Sequence, residues 1–115
     1  MTALVYKLVR PAEWAALAGG TVFPGTPDDL RDGFLHFSTS GQLCATAQKH
    51  FADADRVLLL TVATDDLGAA LKWEVSRGGE KFPHLYDALS LALVKEMNWL
   101  TRGPDGAFVF PPDIS

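Results

Sequence analysis

The feature that most constrains the fold is a continuous apolar run, VLLLTVA, at residues 57–63. Such runs are typical of a central strand that is buried on both faces, so other elements must cover it from either side. The chain has 115 residues, of which 48% are hydrophobic, and this is enough for a single core without metal or disulfide support. Together these features predict one α+β domain spanning residues 1–115.

Strands and helices elsewhere are assigned from periodicity and from the positions of proline and glycine. Helices are predicted after Pro11 and over 40–51. Further strands are predicted at 3–9, 21–23, 34–37, 71–75 and 107–110. Loops are predicted at 24–33, with one helical turn after Pro27, and at 76–87. Residues 89–100 fit a helix or a strand, and a strand at 92–98 is favoured.

Charge and cysteine content exclude several classes of protein. The net charge of -4 argues against general nucleic-acid binding, which requires a basic surface. The sequence has no basic run and no apolar segment long enough to indicate membrane association, and its N-terminal residues lack a signal-peptide pattern. A cytoplasmic location is therefore expected. The single cysteine, Cys44, excludes an intramolecular disulfide, and it is predicted to lie inert on the apolar side of its helix. No metal site is expected, because His36, His50 and His84 have no paired spacing.

The stretch GFLHFSTS at residues 33–40 is the first candidate for a functional site. Alternation along a strand puts Phe34, His36 and Ser38 on one face, which is a combination more typical of a pocket than of a core. The hydroxyl groups of 38–40 lie where the next helix begins. They either cap that helix or, together with its N-terminus, bind an anion such as phosphate.

Three further positions carry candidate side chains. FPHLY at residues 82–86 is predicted to be a loop whose aromatic residues and His84 either anchor it to the core or line a cleft. In strand 71–75, Leu71, Trp73 and Val75 are expected to face the core, and Glu74 to point away from it. Lys7 is either an edge residue with its amine in solvent or a cation for an anionic ligand.

The order of the motifs resembles the domain-of-unknown-function family 952. The resemblance runs through nearly the whole chain, and its most specific motifs are DGFLHFSTSGQ and FPHLY. The quoted segments are VYKL at 5–8, DGFLHFSTSGQ at 32–42, LLLTV at 58–62, LKWE at 71–74 and FPHLYDAL at 82–89.

Members of this family resemble the ADP-ribosyltransferase fold. The resemblance implies two small sheets around a cleft that holds NAD in active enzymes. Carried over by position, Lys7 matches the first-strand residue that grips a ribose, and Glu74 matches the carboxylate that orients a ribose hydroxyl. Lys7 stands where those enzymes carry His or Arg, and Lys72 stands where the arginine-modifying branch carries Glu or Gln. The histidines have no counterpart in that branch and are nearer to RNA phosphotransferase relatives.

Two main hypotheses follow. In the first, the chain binds NAD or a related nucleotide in a cleft and is an NAD-dependent transferase or a degenerate relative. Its candidate catalytic residues are His36, Glu74 and His84, and its candidate cofactor-binding residues are Lys7, Phe34, Ser38, Thr39, Gln42, Trp73 and Tyr86. In the second, a non-catalytic module senses a ligand or docks to a protein through an exposed FPHLY loop. A third possibility is that these residues only secure the fold.

Overall fold

The computed structural model describes residues 3–112 and 114 of the chain. The strands are β1 (Leu4–Val9), β2 (Val22–Phe23), β3 (Leu35–His36), β4 (Arg56–Ala63), β5 (Leu71–Val75), β6 (Lys81–Leu85), β7 (Leu89–Ser90) and β8 (Val94–Thr101). The helices are α1 (Pro11–Ala15), α2 (Pro27–Asp32) and α3 (Ser40–His50). Within these residues, no helix has the length and apolar character that crossing a bilayer requires.

The strands form three antiparallel sheets, one more than the two that were predicted. Their strand orders are β1-β4-β8, β3-β6-β5 and β2-β7. The third sheet pairs Val22 with Ser90 and Phe23 with Leu89. The sequence does not predict this sheet, because residues 89–90 belong to the ambiguous segment 89–100 and a two-residue pair leaves almost no periodic signal. The α+β class agrees with the prediction.

The apolar run occupies the middle of the largest sheet, as predicted. In β4 every residue from Val57 to Ala63 is buried. Its Leu58, Leu60 and Val62 pack into one core cluster with residues of the other two sheets, while Val57 and Leu59 pack into a second cluster with Leu43 of α3. Alternation along one strand therefore supplies both cores.

Two backbone hydrogen bonds join the two larger sheets. The Tyr6 N–H donates to the Ser38 carbonyl, and the Ser38 N–H donates to the Tyr6 carbonyl, both at 2.8 Å. Because Tyr6 lies in β1 and Ser38 just follows β3, the pair fixes β1 beside the β3-β6-β5 sheet. This places Lys7 of β1 close to His36 of β3.

Two predicted loops are wrong in part. Residues 27–32 form α2, and FPHLY is not an exposed loop, because 81–85 form β6 at the centre of its sheet. Pro83 is tolerated there because its carbonyl accepts from the Phe37 N–H, on the edge that faces β3. An N–H at this position would point to the same edge, so its absence in proline removes no hydrogen bond with β5.

The predictions at the C-terminal end also need correction. The favoured strand at 92–98 is confirmed in type and lies at Val94–Thr101. The predicted strand at 107–110 is wrong, because this segment contributes only an isolated bridge between Phe108 and Arg102. Pro111 and Pro112 follow at once, and proline lacks the N–H that a longer ladder needs.

Candidate functional site

A cavity of about 490 Å³ lies between β1, α2 and the paired strands β3 and β6. Four of the sequence-predicted site residues line it: Lys7, His36, Ser38 and His84. Asp29 and Asp32, which the sequence analysis did not single out, line it as well. The structure therefore gathers onto one wall residues that lie up to 77 positions apart in the chain (84 − 7).

Asp29 is the centre of the hydrogen-bond network on this wall. Its Oδ1 lies 2.6 Å from Nδ1 of His36 and accepts from the His36 N–H at 3.0 Å. Its Oδ2 lies 2.8 Å from Nζ of Lys7 and accepts from the Thr26 N–H at 2.9 Å. Both Lys7 and Asp29 are buried, at 3% and 2% exposure. A buried carboxylate is tolerable here because each oxygen has charged and neutral donors.

The sequence of α2 explains why Asp29 reaches this position. Thr26 is the N-cap, and its hydroxyl accepts from the Asp29 N–H at 3.3 Å. Asp29 stands three residues later and accepts back from the Thr26 N–H, which completes a capping box. Pro27 suits the first helical turn, and Gly33 ends the helix with a φ of 86°. The Thr-Pro-Asp-Asp pattern carried this signal, so the capping-box rule could have found the helix.

The pKa values of Asp29 and Lys7 are both shifted, for different reasons. Burial by itself would raise the pKa of Asp29, but the hydrogen bond from His36 and the charge of Lys7 outweigh it and hold that pKa well below its usual range. Burial lowers the pKa of Lys7, against the opposing charge of Asp29. Lys7 is therefore neither a solvent-exposed edge residue nor an unpaired cation, because its Nζ also donates to the His36 carbonyl at 3.0 Å.

His36 lies between two carboxylates. Its Nε2 is 2.9 Å from Oδ2 of Asp32, on the opposite side of the ring from Asp29. A neutral imidazole has one N–H and can donate to only one of these carboxylates, whereas an imidazolium donates to both. The pKa of Asp32 is lowered by its hydrogen bond with Arg31, and His36 adds to the effect. The side chain of His36 is 38% exposed, so its ring borders solvent.

A second carboxylate–imidazole pair adjoins the first. Nδ1 of His84 lies 2.9 Å from Oε1 of Glu74, and the Tyr86 hydroxyl donates to the same oxygen at 2.7 Å. These hydrogen bonds, first that of Tyr86 and then that of His84, lower the pKa of Glu74. The hydrogen bond to Glu74 in turn raises the pKa of Tyr86. A tether through Nδ1 sets the orientation of the His84 ring and leaves Nε2 as its second nitrogen.

Aromatic contacts bring the two imidazoles together. The Phe34 ring stacks on His84 with 4.1 Å between ring centroids, and it lies 4.7 Å from His36. The His36 and His84 centroids are 5.6 Å apart in an edge-to-face arrangement. Phe34 and Tyr86 themselves line a second, smaller cavity of about 290 Å³, which also reaches Asp29.

The remaining predicted hydroxyl and amide groups make hydrogen bonds around the start of α3. Oγ of Ser38 lies 3.0 Å from Oγ1 of Thr46. The Thr39 N–H donates to Oε1 of Gln42 at 3.0 Å, where α3 begins, and Nε2 of Gln42 donates to the Lys81 carbonyl at 2.9 Å. Thr39 and Gln42 line neither cavity, so the geometry gives them a capping and tethering role.

Three predicted orientations are wrong, those of Trp73, Val75 and Cys44. Trp73 and Val75 are 45% and 66% exposed, and neither lines a cavity, whereas Glu74 points toward His84. Alternation correctly divides β5 into two faces, but only Leu71 on the apolar face reaches the core. Cys44 is exposed, although it was expected on the apolar side of α3. It directly follows the buried Leu43, and a step of one residue turns a helix by about 100°.

No metal centre is found among residues 3–112 and 114. No group of three or more His, Cys, Asp or Glu side chains there could hold an ion. Although His36 adjoins two aspartates, Asp29 is already bonded to Lys7 and to the Thr26 N–H.

Comparison with known proteins gives a family and a set of similar structures. The family model described as protein of unknown function (DUF952) matches residues 8–97. The chain is similar to the crystal structure of protein CC0527 from Caulobacter crescentus, with a TM-score of 0.85 and 42% identity over 92% of this chain and 93% of that chain. The solution NMR structure of CC0527 gives a TM-score of 0.78 and 43% identity over 90% of each chain. A search of curated proteins found no match.

Proposed function

The chain belongs to the DUF952 family, as its motifs predicted, and we propose from its cavity that it binds a nucleotide-like ligand such as NAD. The observation that carries the proposal is the pair of imidazoles at one cavity, each bonded through Nδ1 to a carboxylate, with ring centroids 5.6 Å apart. Two imidazoles oriented by carboxylates at one cavity are the parts that general acid–base transfer requires.

The roles follow from the contacts. His36 and His84 act as the acid–base pair, and Glu74 positions His84. Asp29 and Asp32 position His36 in the same way. A ligand that fills the larger cavity meets both imidazoles, while a planar ring in the smaller cavity lies against Phe34 and Tyr86.

The charges on the wall favour the nicotinamide nucleoside end of NAD over its pyrophosphate. Lys7, Arg10 and Arg31 line the larger cavity, but each is already paired with an aspartate. A pyrophosphate would have to compete with those carboxylates, whereas a ribosyl nicotinamide presents hydroxyls and a cationic ring. The likeness to ADP-ribosyltransferases belongs to the same proposal and is supported by Glu74, whose carboxylate lies beside His84.

Isothermal titration of the folded protein with NAD, ADP-ribose and nicotinamide tests the proposal. We expect NAD to bind about tenfold more tightly than ADP-ribose, which corresponds to about 1.4 kcal/mol. His84→Gln should weaken NAD binding by a similar factor. Trp73→Ala is the matched control, because Trp73 lies in the same sheet but on the opposite face. This variant should bind NAD as tightly as the wild type.

Turnover is tested separately by following nicotinamide release from NAD chromatographically. Binding without release would support a ligand-sensing protein rather than a transferase. The absence of heat with all three ligands, on protein with a folded circular dichroism spectrum, would refute the proposed ligand class.

A further inference from the structure

We propose that β5 pairs with the β5 of a second copy of the chain, in antiparallel register about Trp73. β5 is an edge strand, and among the described residues no strand pairs with its outer edge. Trp73 and Val75, at 45% and 66% exposure, place apolar side chains on that edge. Exposed edges of this kind recruit another strand unless they are protected.

The hydrogen bonds of the β5–β6 pair show which backbone groups face outward. The Ser76 N–H donates to the Glu80 carbonyl, and the Tyr86 N–H donates to the Ala70 carbonyl, so residues 70 and 76 face β6. Successive residues of a strand direct their backbone groups to opposite edges, so residues 71, 73 and 75 face outward. The Leu71 N–H is already bonded to the Gly68 carbonyl. The N–H groups of Trp73 and Val75 and the carbonyl of Leu71 remain available to a new strand.

One register, centred on Trp73, both pairs the available backbone groups and places opposite charges against each other. Centring the pair on Trp73 sets Trp73 against its counterpart and Val75 against Leu71 of the second copy. This register forms two hydrogen bonds between the Trp73 residues and two from Val75 N–H groups to Leu71 carbonyls. It also sets Lys72 opposite Glu74 of the second copy, twice, so the only charges on the strand are paired with opposite charges.

The edge of β8 fits self-pairing less well than that of β5. β8 exposes Met97 and Trp99, but its carbonyl at Thr101 already accepts from the Val109 N–H. Antiparallel pairing centred on Asn98 would set Glu96 opposite Leu100 and form no charge pair. Charge complementarity therefore favours β5 over β8.

The second copy would contribute a residue beside the candidate site. Lys72 of the second copy would lie next to Glu74, the carboxylate that holds His84 and Tyr86. This inference depends on the edge of β5 alone and does not rest on the proposed ligand. Because five paired residues make a small interface, the dimer should be weak and dependent on concentration.

Sedimentation velocity over a concentration series up to about 1 mM tests the proposal. The wild-type chain should approach twice its mass of 12.4 kDa. Trp73→Lys and Lys72→Glu should each raise the dissociation constant about tenfold or more, because each places like charges opposite one another. Met97→Lys is the matched control on the β8 edge and should dimerise like the wild type.

A charge exchange makes the test specific for this register. Lys72→Glu and Glu74→Lys chains should each remain monomeric alone, yet form a mixed dimer when combined, because each supplies the charge that the other lacks. Circular dichroism confirms that each variant is folded. A wild-type chain that stays monomeric throughout the series would overturn the proposal, as would a dimer that Met97→Lys dissociates and Trp73→Lys does not.

Discussion

Asp29 ties together three parts of the chain: the first strand, the residue that caps α2, and the strand that carries His36. The sequence could not identify it, because one acidic residue among Asp28, Asp29 and Asp32 looks much like another until the helix is placed. The histidines were found for the opposite reason. An imidazole within an apolar stretch stands out, and His36 and His84 both reached the cavity wall.

Replacing Asp29 should change the dependence of stability on pH. The folded-state pKa of Asp29 lies below its ordinary value of 3.8, so its contribution to stability is complete above about pH 4 and is lost as the pH falls further. Asp29→Asn should lower the free energy of unfolding at pH 7 by about 3–5 kcal/mol, because Lys7 is left buried without its partner. The decline below pH 4 should also become shallower, as measured by urea unfolding at several pH values.

The matched control is Asp32→Asn. Asp32 also contacts His36 but is partly exposed, so this variant should lose much less free energy of unfolding than Asp29→Asn. An equal loss of free energy of unfolding in the two variants would contradict the central role of Asp29. So would an Asp29→Asn variant whose stability declines below pH 4 as steeply as that of the wild type.

Elements with strong periodicity were predicted well, and elements defined by contacts were not. β1, β4 and α3 lie where alternation or helical spacing placed them. The FPHLY segment was misassigned because proline and glycine mark a turn locally, whereas the geometry of β6 depends on which edge Pro83 presents to its neighbours. The exposure of Trp73 could not be predicted either, since alternation defines the two faces of a strand but not how far the core extends.

The turn that precedes α2 depends on a glycine, Gly25. Gly25 has a φ of 128°, and a Cβ at this position would lie 2.9 Å from the Cβ of Asp29. Gly25→Ala should therefore combine backbone strain with a clash, and lower the free energy of unfolding by about 2–4 kcal/mol. Gly106→Ala is the matched control, because Gly106 has a φ of 83° with no atom within 4 Å of the added Cβ.

Urea titrations of the two glycine variants give the comparison. Gly106→Ala should lower the free energy of unfolding by about 1–2 kcal/mol, which is the cost of backbone strain without a clash. A Gly25→Ala loss no larger than this would show that α2 can shift to admit a methyl group, and that Asp29 is held less firmly than its hydrogen bonds suggest.

The whole molecule should unfold as one cooperative unit. One core cluster contains residues of all three sheets, and Trp14 of α1 packs against it. We therefore expect tryptophan fluorescence and far-ultraviolet circular dichroism to give coincident urea transitions. Two separated transitions would show that the smaller sheets open independently of the β1-β4-β8 sheet.

The mutual bonds between Tyr6 and Ser38 are made by main-chain atoms, so they place no demand on which side chains stand at these positions. Yet both residues line the cavity. Substitution at either position can thus replace the chemistry of the wall while the join between the sheets persists. Proteins with this fold can therefore differ in the side chains that line the cavity while keeping the same arrangement of sheets.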